Sequence, residues 1–296
     1  MTSQKYSVNG KVALITGAAN GLGAAVARQM HAQGAKLVLI DIDEPKLDEL
    51  ATELGKDRVF TQVADVRDFT AMKAAADQGI ELFGGIDIVV ANAAIGSFGT
   101  LLQVDPEDFR TVVDVNLIGV FHTVRVALAS VLERGGYLLL VSSLASYLPE
   151  AGMTSYTATK AAVEHLASCL RLELVHRGVG VGSMHMIGID TPMMREGWDE
   201  HPALHAMIHS LPAPMRKLYP AEEVAAACVK GIEARKHRIN SPSWVGLGRW
   251  LKPLLTTPLG EIPVRRLVAP LIIQLDKEVA ELGRSLTPRY EKLRRH

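Results

Sequence analysis

Cysteine is almost absent: the 296-residue chain holds two, Cys169 and Cys228. They stand far apart in segments of helical periodicity, which excludes a disulfide framework and a paired-thiolate metal site and leaves two buried thiols. An excess of charge of one sign is also missing, since 32 Lys and Arg meet 32 Asp and Glu. No whole-protein field gathers nucleic acid, and none is expected as a partner. Uninterrupted apolar runs of about 18 residues are lacking, and the opening MTSQKYSVNGKVALIT holds no leader-like stretch, so the expectation is a cytoplasmic protein without a membrane span. What the chain does have is 48% hydrophobic residues against 22% charged ones, enough for a single well-buried core.

Short apolar runs alternate with longer segments of helical period. The runs 11–17, 36–41, 58–65, 86–94, 136–143 and 179–187 read as buried strands, and 21–33, 44–54, 68–83, 106–133 and 155–176 as helices. Strict alternation implies right-handed crossovers and a parallel sheet covered on both faces. The expected fold is therefore α/β, a doubly wound parallel sheet of the Rossmann type, with ligands beyond the carboxyl ends of its strands.

The first strand-to-helix turn reads TGAANGLG, with Gly17, Asn20, Gly21, Leu22 and Gly23 between an apolar strand and a helix. Missing side chains let backbone approach a pyrophosphate, and free amides at a helix start favour its charge. Asp41 closes the second strand about 20 residues on, where a carboxylate accepts from the adenosine ribose hydroxyls and repels a ribose phosphate. With no Arg or Lys in the glycine turn or directly after Asp41, NAD is favoured over NADP. A plain strand-end cap is the bland reading of Asp41.

Tyr156 and Lys160, in SYTATKAAV, are four apart and share a helix face. A phenol of pKa about 10 is a poor base near neutrality, and a fixed cation beside it favours the phenolate. Taken alone, such a pair is common by chance.

In its motifs and their order the chain resembles the short-chain dehydrogenase/reductase family over residues 8 to about 235. The likeness rests on TGAANGLG, on Ala64-Asp65, on ANAA at 91–94, and on Asn116, Ser143, Tyr156 and Lys160. It implies that Tyr156 exchanges the alcohol proton, Ser143 bonds the substrate oxygen and Asn116 holds a water leading from Lys160. It also implies cofactor contacts at Ile42, Asp65, Val66, Asn92, Ala93 and Ala94, and at Tyr156 and Lys160 themselves. Family members carry Asn-Asn-Ala-Gly where this chain has Ala91 and Ala94, and Pro-Gly where it has Met186 and Ile187. Thr191 is kept, and Ile187 and Ile189 join it as expected contacts. The implied activity is hydride transfer between NAD(H) and a secondary alcohol or ketone. The alternative is a dinucleotide-sensing or scaffold protein without turnover.

Residues 192–219 are expected to form a mobile lid. Its Met193, Met194, Trp198, Met207 and Leu211 either wrap an apolar ligand or pack the lid down. With Leu144, Tyr147, Leu148 and Met153 they suggest a bulky hydrophobic substrate, steroid or lipid-like. His201, His205 and His209 would spread over about 12 Å of helix, too far for one ion, so no metal is expected. The division expected is a catalytic domain over 1–245 and an extension over 246–296. From Gly246 the tail has ten basic and five acidic residues. Val264, Leu267, Val268, Leu271, Ile272, Leu275, Val279 and Leu282 would share a helix face that Pro270 bends or breaks. The tail covers the body or a partner chain, or with Trp244 and Trp250 it touches a membrane surface. Helices 106–133 and 155–176 resemble those through which family members associate, so a homodimer or homotetramer is expected.

Overall fold

Leu, Ile and Val dominate most of the apolar runs, and a strand buried on both faces needs that composition. In the computed structural model, which describes residues 6–295, the runs form β1 (Val12–Thr16), β2 (Lys36–Asp41), β3 (Val59–Val63), β4 (Ile88–Ala91), β5 (Tyr137–Val141) and β6 (Gly180–Met186). A seventh strand, β7 (Arg238–Ser241), was not expected, because RINS is short and half polar. All seven pair in parallel in the order β3-β2-β1-β4-β5-β6-β7. Winding reverses between β1 and β4, and the carboxyl ends of those neighbours open the crevice that binds ligands in such folds. β4 is shorter than its run, so Asn92 to Ala94 leave the sheet at that crevice.

The helices are α1 (Gly21–Ala32), α2 (Glu44–Leu54), α3 (Phe69–Phe83), α4 (Pro106–Val113), α5 (Gly119–Glu133), α6 (Thr154–Glu173), α7 (Pro192–Glu200), α8 (Pro202–His209), α9 (Ala213–Arg216), α10 (Ala221–Glu233), α11 (Leu247–Leu255), α12 (Pro258–Leu282) and α13 (Pro288–Glu291). A π-helical turn, Asp114–Ile118, joins α4 to α5. By length and composition the whole stretch Pro106–Glu133 could cross a membrane. Val112, Val115, Val120, Val124, Ala127 and Val131 instead pack it into the apolar core on one face of the sheet, as a core helix does.

Pro270 does not break the C-terminal helix: α12 runs through both Pro263 and Pro270. An internal proline costs about 3 kcal/mol. Beyond it Leu275 and Val279 are buried, and two such side chains are worth roughly 3–6 kcal/mol. The expected apolar face holds at its centre, where Leu271, Ile272, Leu275 and Val279 meet Phe98, Met153, Leu204 and Met207 in a third apolar cluster. At its ends Val264 and Leu282 are exposed. Leu275 seats against Gly152, where an added Cβ would fall 2.5 Å from its Cδ2. Replacing Leu275 by Ala should lower unfolding free energy by about 2–5 kcal/mol, while Leu259→Ala on the exposed face should change it by less than about 0.5 kcal/mol; denaturant titration of both variants checks this.

Candidate active site

Gly17 and Gly21 hold left-handed backbone, with φ of 63° and 50°. A Cβ on Gly17 would fall 2.9 Å from Ala93 Cα, and one on Gly21 2.9 Å from Thr191 Cγ2. The turn is thus closed by glycine between the ends of β4 and β6. Gly23 lies beneath it, where a Cβ would meet the Gly17 carbonyl at 2.0 Å; it shapes the turn and, unlike the other glycines, does not line the cavity. Asn20, the N-cap of α1, makes no side-chain capping bond, so the first amides of the helix face the crevice without that partner. An uncapped helix start behind a glycine turn fits a pyrophosphate.

The Asp41 carboxylate accepts from the amides of Ala19 (2.9 Å), Ile42 (2.7 Å) and Asp43 (3.0 Å). Burial raises its pKa and the three amides oppose the rise. A carboxylate has about four acceptor positions, so capacity remains at the cavity wall. Asp65 accepts four bonds from Arg67, from the backbone amide (2.9 Å), from Nη2 (2.7 Å) and from Nε to both oxygens (3.1 and 3.0 Å), which fill its acceptor positions and leave little capacity for a base. The Val66 carbonyl accepts from His122 Nδ1 at 2.8 Å, which places the ring proton on that nitrogen. Asn92 donates to the carbonyls of Thr16 (3.0 Å) and Gly17 (3.1 Å), tying β4 to the glycine turn.

Ser142 and Ser143 follow directly on the end of β5 at Val141, and the first turns of α6 bring Tyr156 and Lys160 opposite them. Lys160 is buried and donates to the Val141 carbonyl at 2.9 Å; its Nζ lies 5.5 Å from the Tyr156 ring centroid. Ser142 Oγ fixes this turn by donating to the Lys160 carbonyl at 2.8 Å. Burial pushes Lys160 down to about 8. Tyr156 is pushed up to about 12, first by burial and then by the Glu150 carboxylate, with Ser143 acting against them. The sequence suggested a phenol drawn downward by its cation; in the enclosed crevice burial is the larger effect.

Asn116 does not reach the cavity. It sits fully buried in the π-helical turn, where Oδ1 accepts from Ile95 N (2.8 Å) and Nδ2 donates to Ile95 O (2.9 Å) and Thr159 Oγ1 (3.2 Å). Its side chain holds α4–α5 against α6. Tyr147 is a correction. After the short turn Leu144–Ser146 it faces the core and stacks on His185, with centroids 4.4 Å apart, so it does not line the substrate side.

The remaining expected residues line one cavity of about 1010 Å³, from Asp41, Ile42, Asp65 and Val66 past Ala93, Ala94, Ser143, Tyr156 and Lys160 to Leu144, Met153, Met193 and Trp198, with Ile187, Ile189 and Thr191 beside them. That volume is at the upper end of the ~300–1,000 Å³ usual for ligand sites. The lid is helical, as α7, α8 and α9. His201 ends α7, packed on Phe98, while His205 and His209 in α8 pack against Trp198. Sequence reasoning missed two groups. Glu150, open to the cavity and walled by protein, is pushed up to about 7 by burial. Tail residues Val264, Val268, Arg289, Tyr290 and Leu293 also line the cavity; the tail's apolar periodicity was legible, but not where it lands. Arg289 brings a cation near Asp43, yet Glu196 takes it up at 2.7 and 2.9 Å, so Asp41 still sets the charge at the ribose end.

Comparison with known proteins agrees with this geometry. The family model for short chain dehydrogenases matches residues 11–202. An uncharacterized oxidoreductase of Mycobacterium tuberculosis is 38% identical over 207 residues, covering 63% of this chain and 75% of its own. The (-)-trans-carveol dehydrogenase of Rhodococcus erythropolis is 37% identical over 206 residues, 64% of this chain and 74% of its own. A short chain dehydrogenase/reductase from Burkholderia phymatum, solved in complex with NAD, superposes with a TM-score of 0.74 at 28% identity, over 86% of this chain and 98% of that one.

An anion beside a phenol disfavours the phenolate. Glu150→Gln should therefore lower the Tyr156 pKa, read as tyrosinate absorbance in a pH titration with Tyr156→Phe as the blank. An unchanged or raised midpoint would show that Glu150 does not act on the phenol.

Proposed function

This chain belongs to the short-chain dehydrogenase family, and from that premise we propose that it moves hydride between NAD(H) and the carbinol carbon of a bulky hydrophobic secondary alcohol or its ketone. The observation that carries the proposal is the convergence of Ser143, Tyr156 and Lys160 on the cavity that also holds the glycine turn and Asp41. Bound there, NAD(H) supplies the hydride acceptor or donor. Tyr156 takes the hydroxyl proton of the alcohol in oxidation and returns it in reduction. Ser143 donates to the substrate oxygen, where charge develops. Lys160 holds a cation near the phenol and orients the ribose. Asn116 acts as a brace for α6 through Thr159, keeping Lys160 and Tyr156 in register.

The walls favour an apolar substrate. Leu148, Met153, Met193, Trp198, Met207 and Val268 surround the Tyr156 end, and the similar R. erythropolis protein is named for carveol, a cyclic alcohol. Because burial keeps the phenol protonated, reduction is expected near neutral pH, and oxidation should speed up as pH rises toward the phenol's range. A sensing or scaffold protein would place no demand on Ser143, Tyr156 and Lys160 together. Tyr156→Phe should reduce turnover of secondary alcohols and ketones by about 10²- to 10⁴-fold at unchanged NADH binding, followed by NADH absorbance across a panel of steroid, terpenoid and small alcohols; turnover equal to that of the parent would remove the assignment.

A peripheral membrane contact is a second reading, and α11 favours it. Trp250 is 74% and Leu254 63% exposed, and Leu259 at the start of α12 80%. Arg249 sits over the Trp250 ring at 5.0 Å, and Leu255 and Val264 of the same hairpin line the cavity. Basic and apolar residues at a cavity mouth suit an anionic lipid surface that delivers an apolar substrate. Association of chains through α5 and α6 is supported by exposed Phe121 and Leu172. The parent chain should pellet with anionic vesicles, and a Trp250→Ala/Leu254→Ala variant should not; equal pelleting, or a change in sedimentation without vesicles, would assign the patch to something other than lipid.

A further inference from the structure

The end of the chain returns to the crevice. Ser285, Leu286 and Thr287 are buried; the Ser285 carbonyl accepts from Phe98 N at 2.8 Å, and Leu286 bridges to Ser97. Three arginines fasten the segment. Arg284 forks onto Glu200 at 2.7 and 3.0 Å, Arg289 onto Glu196, and Arg294 onto Asp108. Two of these anchors are in α7, so the tail and the lid are joined. A fourth bond comes from the nucleotide side, where Arg67 grips Asp65 with one edge and donates from Nη1 to the Leu293 carbonyl at 2.8 Å. The Leu293 side chain is buried in the cluster that holds Val66 and Val115, and Tyr290 packs against the same cluster, as does Ile42. Arg289, Tyr290, Lys292 and Leu293 line the same cavity as Asp41, Ile42, Asp65 and Val66.

We propose that residues 288–294 form the outer wall of the adenosine half of the cofactor cleft, with Tyr290 and Leu293 covering the base and ribose that Asp41, Ile42 and Val66 hold from the inside. The inference rests on the reading of this cleft as an NAD site. An aromatic ring and a leucine offer the flat, apolar contact that a purine takes from protein. Asp65, occupied by Arg67, works here less as a base-reading group than as the post to which the wall is tied. Because Glu196 takes up the Arg289 guanidinium, the wall adds apolar cover without offering that cation to a ribose phosphate, and the preference for NAD set by Asp41 stays.

The test is binding, measured on the full chain and on Tyr290→Ala, Leu293→Ala and their double variant by NADH fluorescence titration, with AMP and nicotinamide mononucleotide as competitors. The double variant should bind NADH and AMP about tenfold more weakly, by the same factor for both, with nicotinamide mononucleotide unaffected. Thermal unfolding of each variant shows whether the segment stays folded. Tyr290→Ala alone carries the test if Leu293→Ala unfolds it. Unchanged affinity would overturn the proposal and leave these residues as packing. Tighter binding of NADH and AMP would also overturn it, by showing that the segment occupies the adenosine site. Failure of the full chain itself to bind NADH or AMP would overturn the cofactor reading, and the wall with it.

Discussion

A phenol and an ammonium enclosed together in protein are the constraint on which the rest of this structure depends. Burial is the largest effect on both and moves them toward their neutral forms, Tyr156 up to about 12 and Lys160 down to about 8. Near neutral pH that leaves a protonated phenol beside a largely charged lysine. Lys160 Nζ lies 5.5 Å from the Tyr156 ring centroid, and a cation at that side favours the phenolate against the burial that raises the phenol's pKa. Among the neighbours Glu150 pushes the phenol further up and Ser143 pulls it down. The fold supplies this balance: β5 delivers Ser143, α6 delivers the pair, and Asn116 in a π-helical turn keeps α6 in place.

Enclosure is what the C-terminal extension adds. α12 packs on α8 and on the loops bearing Phe98 and Met153, so the apolar cluster against Tyr156 joins the middle of the chain to its C-terminal part. Glu278 accepts from the Ala203 amide at 3.1 Å, at the start of α8, and Arg284 and Arg289 hold α7. The lid is therefore strapped by side chains some 80 residues further on, and its Met and Trp residues both pack it down and line the cavity. Low dielectric around the phenol depends on that strap as much as on the sheet.

Much of this was legible in the sequence, for reasons that differ by element. The glycine turn and Asp41 were legible because strand and helix in alternation put the strand ends at one crevice, while Ser143, Tyr156 and Lys160 were gathered there by the likeness to the family. β7 escaped because RINS has neither the length nor the apolar content of a strand; pairing with β6 makes it one. The continuity of α12 through Pro270 depends on burial of Leu275 and Val279 against Gly152 and Gly99, contacts between segments more than a hundred residues apart. Tyr147 and Asn116 show the limit for single residues: the Leu144–Ser146 turn rotates one into the core, and an extra residue in a helical turn aims the other at Ile95. Only the tertiary path of the chain places Tyr290 near Asp41.

The most direct test of the central claim is the pH dependence of kcat/KM for alcohol oxidation in the parent chain and in Lys160→Met. If the buried cation is what makes the phenol usable, the rising limb moves to higher pH when that charge is removed. A limb that stays where it is in the parent would show that the ammonium does not tune Tyr156, and would contradict the account.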